Sequence, residues 1–529
     1  MTEVIIDQTP PILQGPSDKE KKYDRQLRLW AASGQQALED AHILLLNSGS
    51  GAVGVETLKN LVLPGIGQFT IADAAVVNEA DLGVNFFLDE DSLGNSRAEC
   101  CVKLLQELNP DVKGHWLPLQ EQTYTVQNLL ENDRKYTLIL YTYPIEPQDL
   151  TLVQEYGSNY KVPIIAIHSA GFYSYFRTHL PGNFPIVDTH PDSTATTDLR
   201  LLAPWEELSK FSSELTSDIN NLSAHEHGHI PYLVILLYFL EKWKAEHGSL
   251  PSTYKEKTAF RTAVAAGART DTAEGGEENF DEAAAAVLKT ISTPTLPSSV
   301  KVVFDYEPNE AEATSSFWII AGAIKKFYEK HKQLPLPGSV PDMKAQSTVY
   351  VRLQNIYKRK ARQDVAEVLS TVRAHPGGKD IDEGEVESFC KNAAFIKLIH
   401  GSDANPVDIT TLAKSEATND ENVTFTAMPL SLLPIYLSLN ATSHIPTASS
   451  SEILATIDKA IPDSSFDPRF VQVAEEVARA KGGELHNISA LTGGMVAQEV
   501  IKIITKQYIP IDNTCIFDGI TSRTQVLRI

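Results

Sequence analysis

The sequence predicts an α/β fold: a mostly parallel sheet with helical crossovers, into which a long, mainly helical segment is inserted. Three observations predict it. The stretch Ala41 to Asp73 reads as strand, glycine turn, helix and strand. Near Phe184 the short apolar runs give way to helical periodicity. In the last residues strand character returns, so the C-terminus is expected to complete the first sheet and the helical middle to be an insertion.

Residues 1–22 read as a flexible arm, because Met1 to Pro16 lack the basic-then-apolar pattern of a secretory leader. Tyr23, Leu27 and Trp30 follow helical spacing, with Arg25 and Arg28 on another face and Ser33-Gly34 as the expected break. His42 to Asn47 is a strand, Ser48 to Gly54 a turn with the pattern G-x-G-x-x-G, and Val55 to Leu63 a helix. Gly49 permits the tight turn, Gly51 lets a phosphate approach the backbone, and Gly54 lets helix and strand pack closely. The helix N-terminus offers free N–H groups and a positive dipole end to an anion. Gln68 to Ala72 is the second strand, and Asp73 at its tip is placed to accept hydrogen bonds from a ribose.

An amphipathic helix follows from Ser96 to Leu108, ended by Asn109-Pro110. Thr137 to Tyr141, Pro163 to His168 and Tyr173 to Leu180 read as strands, and Asp188 to Asp198 as a polar connection. Helical patterns then cover 230–247, 254–266, 280–290, 315–331 and 344–374, with an acidic loop at Asp271 to Asn279. The prolines of Leu334 to Pro341 exclude helix, leaving an ordered loop, a connector or a partner-binding segment. Between Pro376 and Ala480 the patterns are mixed. Asn487 to Thr505 is a strongly apolar helix, followed by expected strands at 508–511, 514–517 and 524–529. The expected division is arm 1–22, sheet domain 23–180, insertion 181–484 and return segment 485–529.

Composition narrows the function. A chain of 529 residues exceeds one core and calls for two or three domains or subdomains. The net charge of −22 argues against nucleic acid, which needs clustered Lys and Arg, and fits either plain solubility or steering of a basic protein partner. No uninterrupted apolar run is long enough for a bilayer, so no membrane association is expected. Four cysteines without a C-x-x-C pair fit a reducing compartment and no cysteine zinc site. The sequons at Asn221, Asn422, Asn440 and Asn487 then carry no weight.

Several segments together resemble the activating enzymes of ubiquitin-like modifiers. They are Tyr23 to Trp30 (YDRQLRLW), Leu61 to Gly67, Asn85 to Leu88, Arg97-Ala-Glu and Ala497 to Lys506. With Ser316-Phe-Trp-Ile, Pro341-Asp-Met and Leu353-Gln-Asn-Ile-Tyr, the resemblance is greatest to the regulatory subunits of the Nedd/Rub branch. It implies a Rossmann-like adenylation domain of the ThiF/MoeB type. The insertion then corresponds to a catalytic-cysteine domain without its nucleophile. It further implies a heterodimer with a homologous catalytic subunit, which adenylates the Nedd/Rub modifier, carries it as a thioester and passes it to a conjugating enzyme. ATP and Mg²⁺ are expected in that partner, with no cofactor in this chain and no metal, and the location implied is cytoplasmic and nuclear.

The resemblance also marks what is missing. Active relatives carry an arginine that meets phosphate in the segment matching Asp81 to Phe86, and here Val84 stands in its place. Arg97 falls where a later lysine is expected, and a guanidinium fork is not equivalent to an ammonium. Gly49, Gly51, Gly54, Asp73 and Arg97 therefore read as a degenerate nucleotide site, its glycines serving a tight turn and close packing. Arg25 matches the arginine that, in the family, reaches the ATP phosphates across the dimer interface; the plain alternative is pairing with Asp24 or Glu20. Arg28, a turn on, is the weaker candidate. Cys100, Cys101, Cys390 and Cys515 read as buried structural thiols, with Cys390 lying in the insertion where active relatives hold their nucleophile. His225-Glu-His-Gly-His229 lacks the H-E-x-x-H arrangement and reads as the solvated entry of a helix rather than a metal site.

Three other readings remain: an autonomous adenylating enzyme, the equivalent SUMO-type subunit, and an NAD-dependent oxidoreductase resting on the glycine motif. The long insertion and the 503–508 tail favour Nedd/Rub over SUMO. No acid/base pair accompanies the motif to support hydride transfer.

Overall fold

The computed structural model describes residues 15–529 apart from 120–124, 132–134, 193–197, 271–275, 293–294, 402–407, 422–428, 463 and 465–466. Most of the expected N-terminal arm, the sequon at Asn422, part of the acidic loop from Asp271 and the middle of the Asp188–Asp198 connection lie outside the described residues. The end of that arm is helical. Ser17 and Glu20 cap each other at the start of α1 (Asp18–Lys22).

The chain forms two compact units, Met1–Ile186 with Ile399–Ile529, and Val187–Leu398. Among the described residues there are ten strands: β1 (His42–Leu46), β2 (Gln68–Ala72), β3 (Lys113–Leu117), β4 (Leu138–Thr142), β5 (Ile164–Ala170), β6 (Tyr173–His179), β7 (Asn183–Val187), β8 (Ile396–His400), β9 (Thr514–Asp518) and β10 (Arg523–Leu527). Eight of them make one sheet in the order β10-β9-β6-β5-β4-β1-β2-β3, and β7 pairs with β8. The run from β5 to β3 is parallel, while β6, β9 and β10 pair antiparallel. β1 and β4 are buried residue by residue, because helices cover both faces of the parallel half. Gly171, at φ +57°, turns β5 directly into β6. As expected, the C-terminal strands complete this sheet.

The differences from expectation have physical causes. Ser33-Gly34 does not end α2 (Asp24–Glu39). The helix kinks earlier, at Trp30 and Ala31, and runs on through Gly34, where a Cβ would lie 2.8 Å from that of Trp30. Residues 508–511 are not a strand, since Pro510 has no N–H for a ladder and the Ile511 N–H goes to Glu499. The chain rejoins the first unit at Ile399 rather than at 485. Leu433–Ala441 is a helix buried along most of its length, so it needs cover on all sides. It packs with the Ser450–Ala460 and Pro468–Ala480 helices over Tyr173, Tyr175 and Ile516 of the sheet.

The second unit is helical. Its longest helix, Ser347–Arg373, lends Leu353 and Ile356 to one core and Val368 and Val372 to another. The proline-rich loop is ordered against that helix, with Leu336 buried and its N–H donated to Asp364.

Candidate functional site

The glycine turn leads from β1 into α3 (Ala52–Val62). Gly49 and Gly51 adopt φ of +62° and +64°. A Cβ on Gly51 would lie 2.3 Å from Asn47 Nδ2, and one on Gly54 would lie 2.6 Å from Asn47 Oδ1. The glycines thus make room for the Asn47 side chain, which donates to Asp73 Oδ2 at 2.9 Å. Ser48 anchors the turn to β4 by donating its N–H to Thr142 and its hydroxyl to the carbonyl of Pro144. Gly493 lets the return helix His486–Thr505 lie directly on α3, where a Cβ would meet the Thr57 nitrogen at 2.8 Å. That helix is long and apolar enough to cross a membrane, and more than half of the qualifying stretch is buried here.

Arg97 begins the Arg97–Leu108 helix and points into the turn, 3% exposed. Its Nε and Nη2 donate to the two oxygens of Asp73, at 2.7 and 3.2 Å. Its Nη1 donates to Asp81 at 3.0 Å and to the carbonyl of Gly49 at 2.9 Å. Asp73 also accepts the Ala75 N–H, so both its oxygens are engaged. The neighbouring carboxylates hold the Arg97 guanidinium protonated against its burial.

The N-terminus of α3 is likewise occupied. Glu484, 7% exposed, accepts the Val53 N–H at 2.8 Å and the Ser489 hydroxyl at 2.5 Å. Burial raises the Glu484 carboxyl above its ordinary value. These residues do not fit a triphosphate. A carboxyl of the chain itself sits where the helix would receive an anion, and the nearby guanidinium is spent on two carboxylates. Val84, half-buried, offers only its carbonyl, which faces Nδ1 of His486 at 3.1 Å, and Phe86 stacks on that imidazole.

Ionising the Glu484 carboxyl is harder in the folded chain than in the unfolded one. Its contribution to stability is full below the ordinary carboxyl value and is lost as pH rises through the raised one. Glu484→Gln cannot ionise. On raising the pH from about 4 to about 7, the melting temperature of the natural chain is expected to fall relative to that of the variant. A constant gap would contradict the assignment.

Arg25 lies apart from this cluster, exposed on α2. The expected alternative partners are taken, since Asp24 pairs with Arg28 at 2.8 Å and Glu20 caps α1. Among the described residues no hydrogen bond or ion pair holds Arg25. The cysteines are reduced. Cys101, Cys390 and Cys515 are buried and Cys100 is half-buried. Burial pushes the thiols of Cys101 and Cys390 up to about 12, the opposite of what a thioester nucleophile requires. His225 is exposed, but His227, expected in a solvated entry, is buried with its Nδ1 on Glu277.

Sequence reasoning missed Asn47, Asp81 and Glu484 as members of the cluster. Asp81 lies within the segment compared above, but its burial against Arg97 is given only by the tertiary contact. Glu484 carries no local signal, standing 431 positions from Val53.

Comparison with known proteins agrees with this architecture. The ThiF family profile matches residues 23–529. The NEDD8-activating enzyme E1 regulatory subunit of Xenopus laevis is 34% identical over 550 residues, covering 97% of this chain and 99% of that protein. That of Drosophila melanogaster is 36% identical, covering 97% and 98%. The Arabidopsis thaliana protein NEDD8-activating enzyme E1 regulatory subunit AXR1 is 32% identical, covering 96% of each. The solved structure of E. coli MccB overlaps 39% of this chain and 56% of that one, with a TM-score of 0.28 and 16% identity. With a glycine turn, an eight-stranded sheet closed by its C-terminal strands and relatives aligned from end to end, the chain belongs to the ThiF family, in its branch of NEDD8-activating enzyme E1 regulatory subunits.

Proposed function

We propose that this chain is the non-catalytic half of a heterodimeric activating enzyme. The homologous partner binds ATP and Mg²⁺, adenylates the Nedd/Rub modifier, holds it as a thioester and delivers it to a conjugating enzyme. The observation that supports this reading most is the self-occupied turn: Arg97 closes on Asp73 and Asp81, and Glu484 closes on the N-terminus of α3. A site so satisfied gains nothing from ATP and is of use as scaffold. The guanidinium of Arg25, exposed and without a hydrogen-bond or ion-pair partner among the described residues, supports a second role, reaching the phosphates in the partner's site. There, charge building on the phosphate oxygens is stabilised by a positioned cation.

The oxidoreductase reading needs Asp73 for a ribose, and both its oxygens are engaged. The test is a mixing experiment. The isolated chain is expected to catalyse no ATP–pyrophosphate exchange, and thioester is expected only when chain, catalytic subunit, modifier and ATP are together. Robust exchange by the chain alone would establish an autonomous enzyme and overturn the proposal.

A further inference from the structure

We propose that the second unit carries a binding site for a neutral phenolic ring, the group borne by a tyrosine side chain or a free phenol, in the cavity beside His227.

The cavity holds about 370 Å³, between the Tyr232–His247 helix and the Tyr254–Ala265 helix. Aromatic side chains and polar groups line it together. Trp243 and Phe260 meet edge-on with centroids 5.7 Å apart, Phe239 lines the same side, and Ala263 leaves the opening free. Gly267 sets how closely the wall can close, since a Cβ there would lie 2.6 Å from the Phe239 ring. At the rim Lys242 and Glu246, both exposed, offset each other's charge and favour an uncharged guest.

His227 supplies the polar contact. It is 5% exposed, and its ring lies parallel to that of Phe280 at 4.9 Å. Its Nδ1 sits 2.7 and 2.9 Å from the two oxygens of Glu277, which also accepts the Arg269 N–H at 2.7 Å. A carboxylate only accepts, so Nδ1 carries the hydrogen, and in the neutral ring Nε2 is left as an acceptor. Nε2 has no hydrogen-bond partner among the described residues, and unlike Nδ1 of His168 it is not sealed from solvent. The contact of the His227 ring with Glu277 uses Nδ1, and Asn279 separately donates to the carbonyls of His227 and Ile230. His227 is among the residues lining the cavity, and in its neutral form the ring offers Nε2 as an acceptor beside these aromatic side chains, a combination complementary to a ring bearing one O–H group.

The test uses the full chain with p-cresol, the tyrosine side chain, and toluene, which lacks the hydroxyl. Calorimetric titration is expected to show one saturable site that prefers p-cresol by roughly three- to tenfold, the worth of one hydrogen bond. With ¹⁵N-labelled histidine, the Nε2 resonance of His227 is expected to shift with p-cresol and not with toluene. Ala263→Trp, at an exposed helix position, is expected to fold and to abolish binding. Binding of N-acetyl-tyrosinamide at least as tight as that of p-cresol assigns the site to a tyrosine in a polypeptide, and binding of p-cresol alone assigns it to a free phenol. Absence of saturable binding, equal affinity for toluene, or binding unchanged in Ala263→Trp overturns the proposal.

Discussion

Replacing Arg25 with alanine is expected to slow modifier adenylation by the assembled pair roughly 10³-fold, the loss typical when an arginine supplied from a neighbouring subunit is removed from a phosphoryl transition state. The structure makes this a clean substitution. Arg25 is exposed and holds nothing else in the described chain, so its removal is expected to change stability by no more than about 0.5 kcal/mol. The pair is therefore expected to co-purify as before while pyrophosphate exchange collapses. Arg25→Lys is expected to recover only part of the rate, because an ammonium lacks the planar fork. Arg28→Ala serves as the control, since Arg28 is already paired with Asp24 on the helix surface. Full exchange activity in the Arg25→Ala pair would remove the proposed direct role and leave the scaffold alone.

The second large effect is on stability. Arg97→Ala would leave Asp73 and Asp81, 2% and 4% exposed, without their shared cation. Breaking a buried ion pair by removing one partner costs about 3–5 kcal/mol, far more than a surface substitution. The midpoint of denaturant unfolding of the first unit is expected to fall accordingly, or the variant to be recovered poorly. Asp81→Asn in the Arg97→Ala background removes one stranded charge, and partial recovery of the midpoint is expected. An unchanged midpoint in Arg97→Ala would mean that the guanidinium does not close the turn.

These two arginines show why parts of the site were legible and others were not. Arg25 stood out through its motif, and its surroundings could be judged from Asp24 and Glu20, one and five positions away. Arg97 was recognised by position, yet its role depends on distances that no local pattern carries. β3 shows the same limit in the fold. Lys113-Gly-His-Trp-Leu neither alternates nor runs apolar, and it becomes a strand because the edge of β2 offers it a ladder. The helix Pro147–Tyr160 is similarly quiet, burying only Val153 and Gly157.

By itself the sequence determined what depends on near neighbours: the central strands, the glycine turn, the helical middle and the motifs that mark the family. Hydrophobic periodicity and turn chemistry act over a few residues, so they are written locally. Only the tertiary structure decided that the turn is filled from within. Gly493 brings the return helix onto α3, and Glu484, just before that helix, is thereby carried to the Val53 N–H across 431 positions of chain. The extent of the insertion was decided the same way, by an apolar helix at Leu433–Ala441 that finds its cover on the sheet.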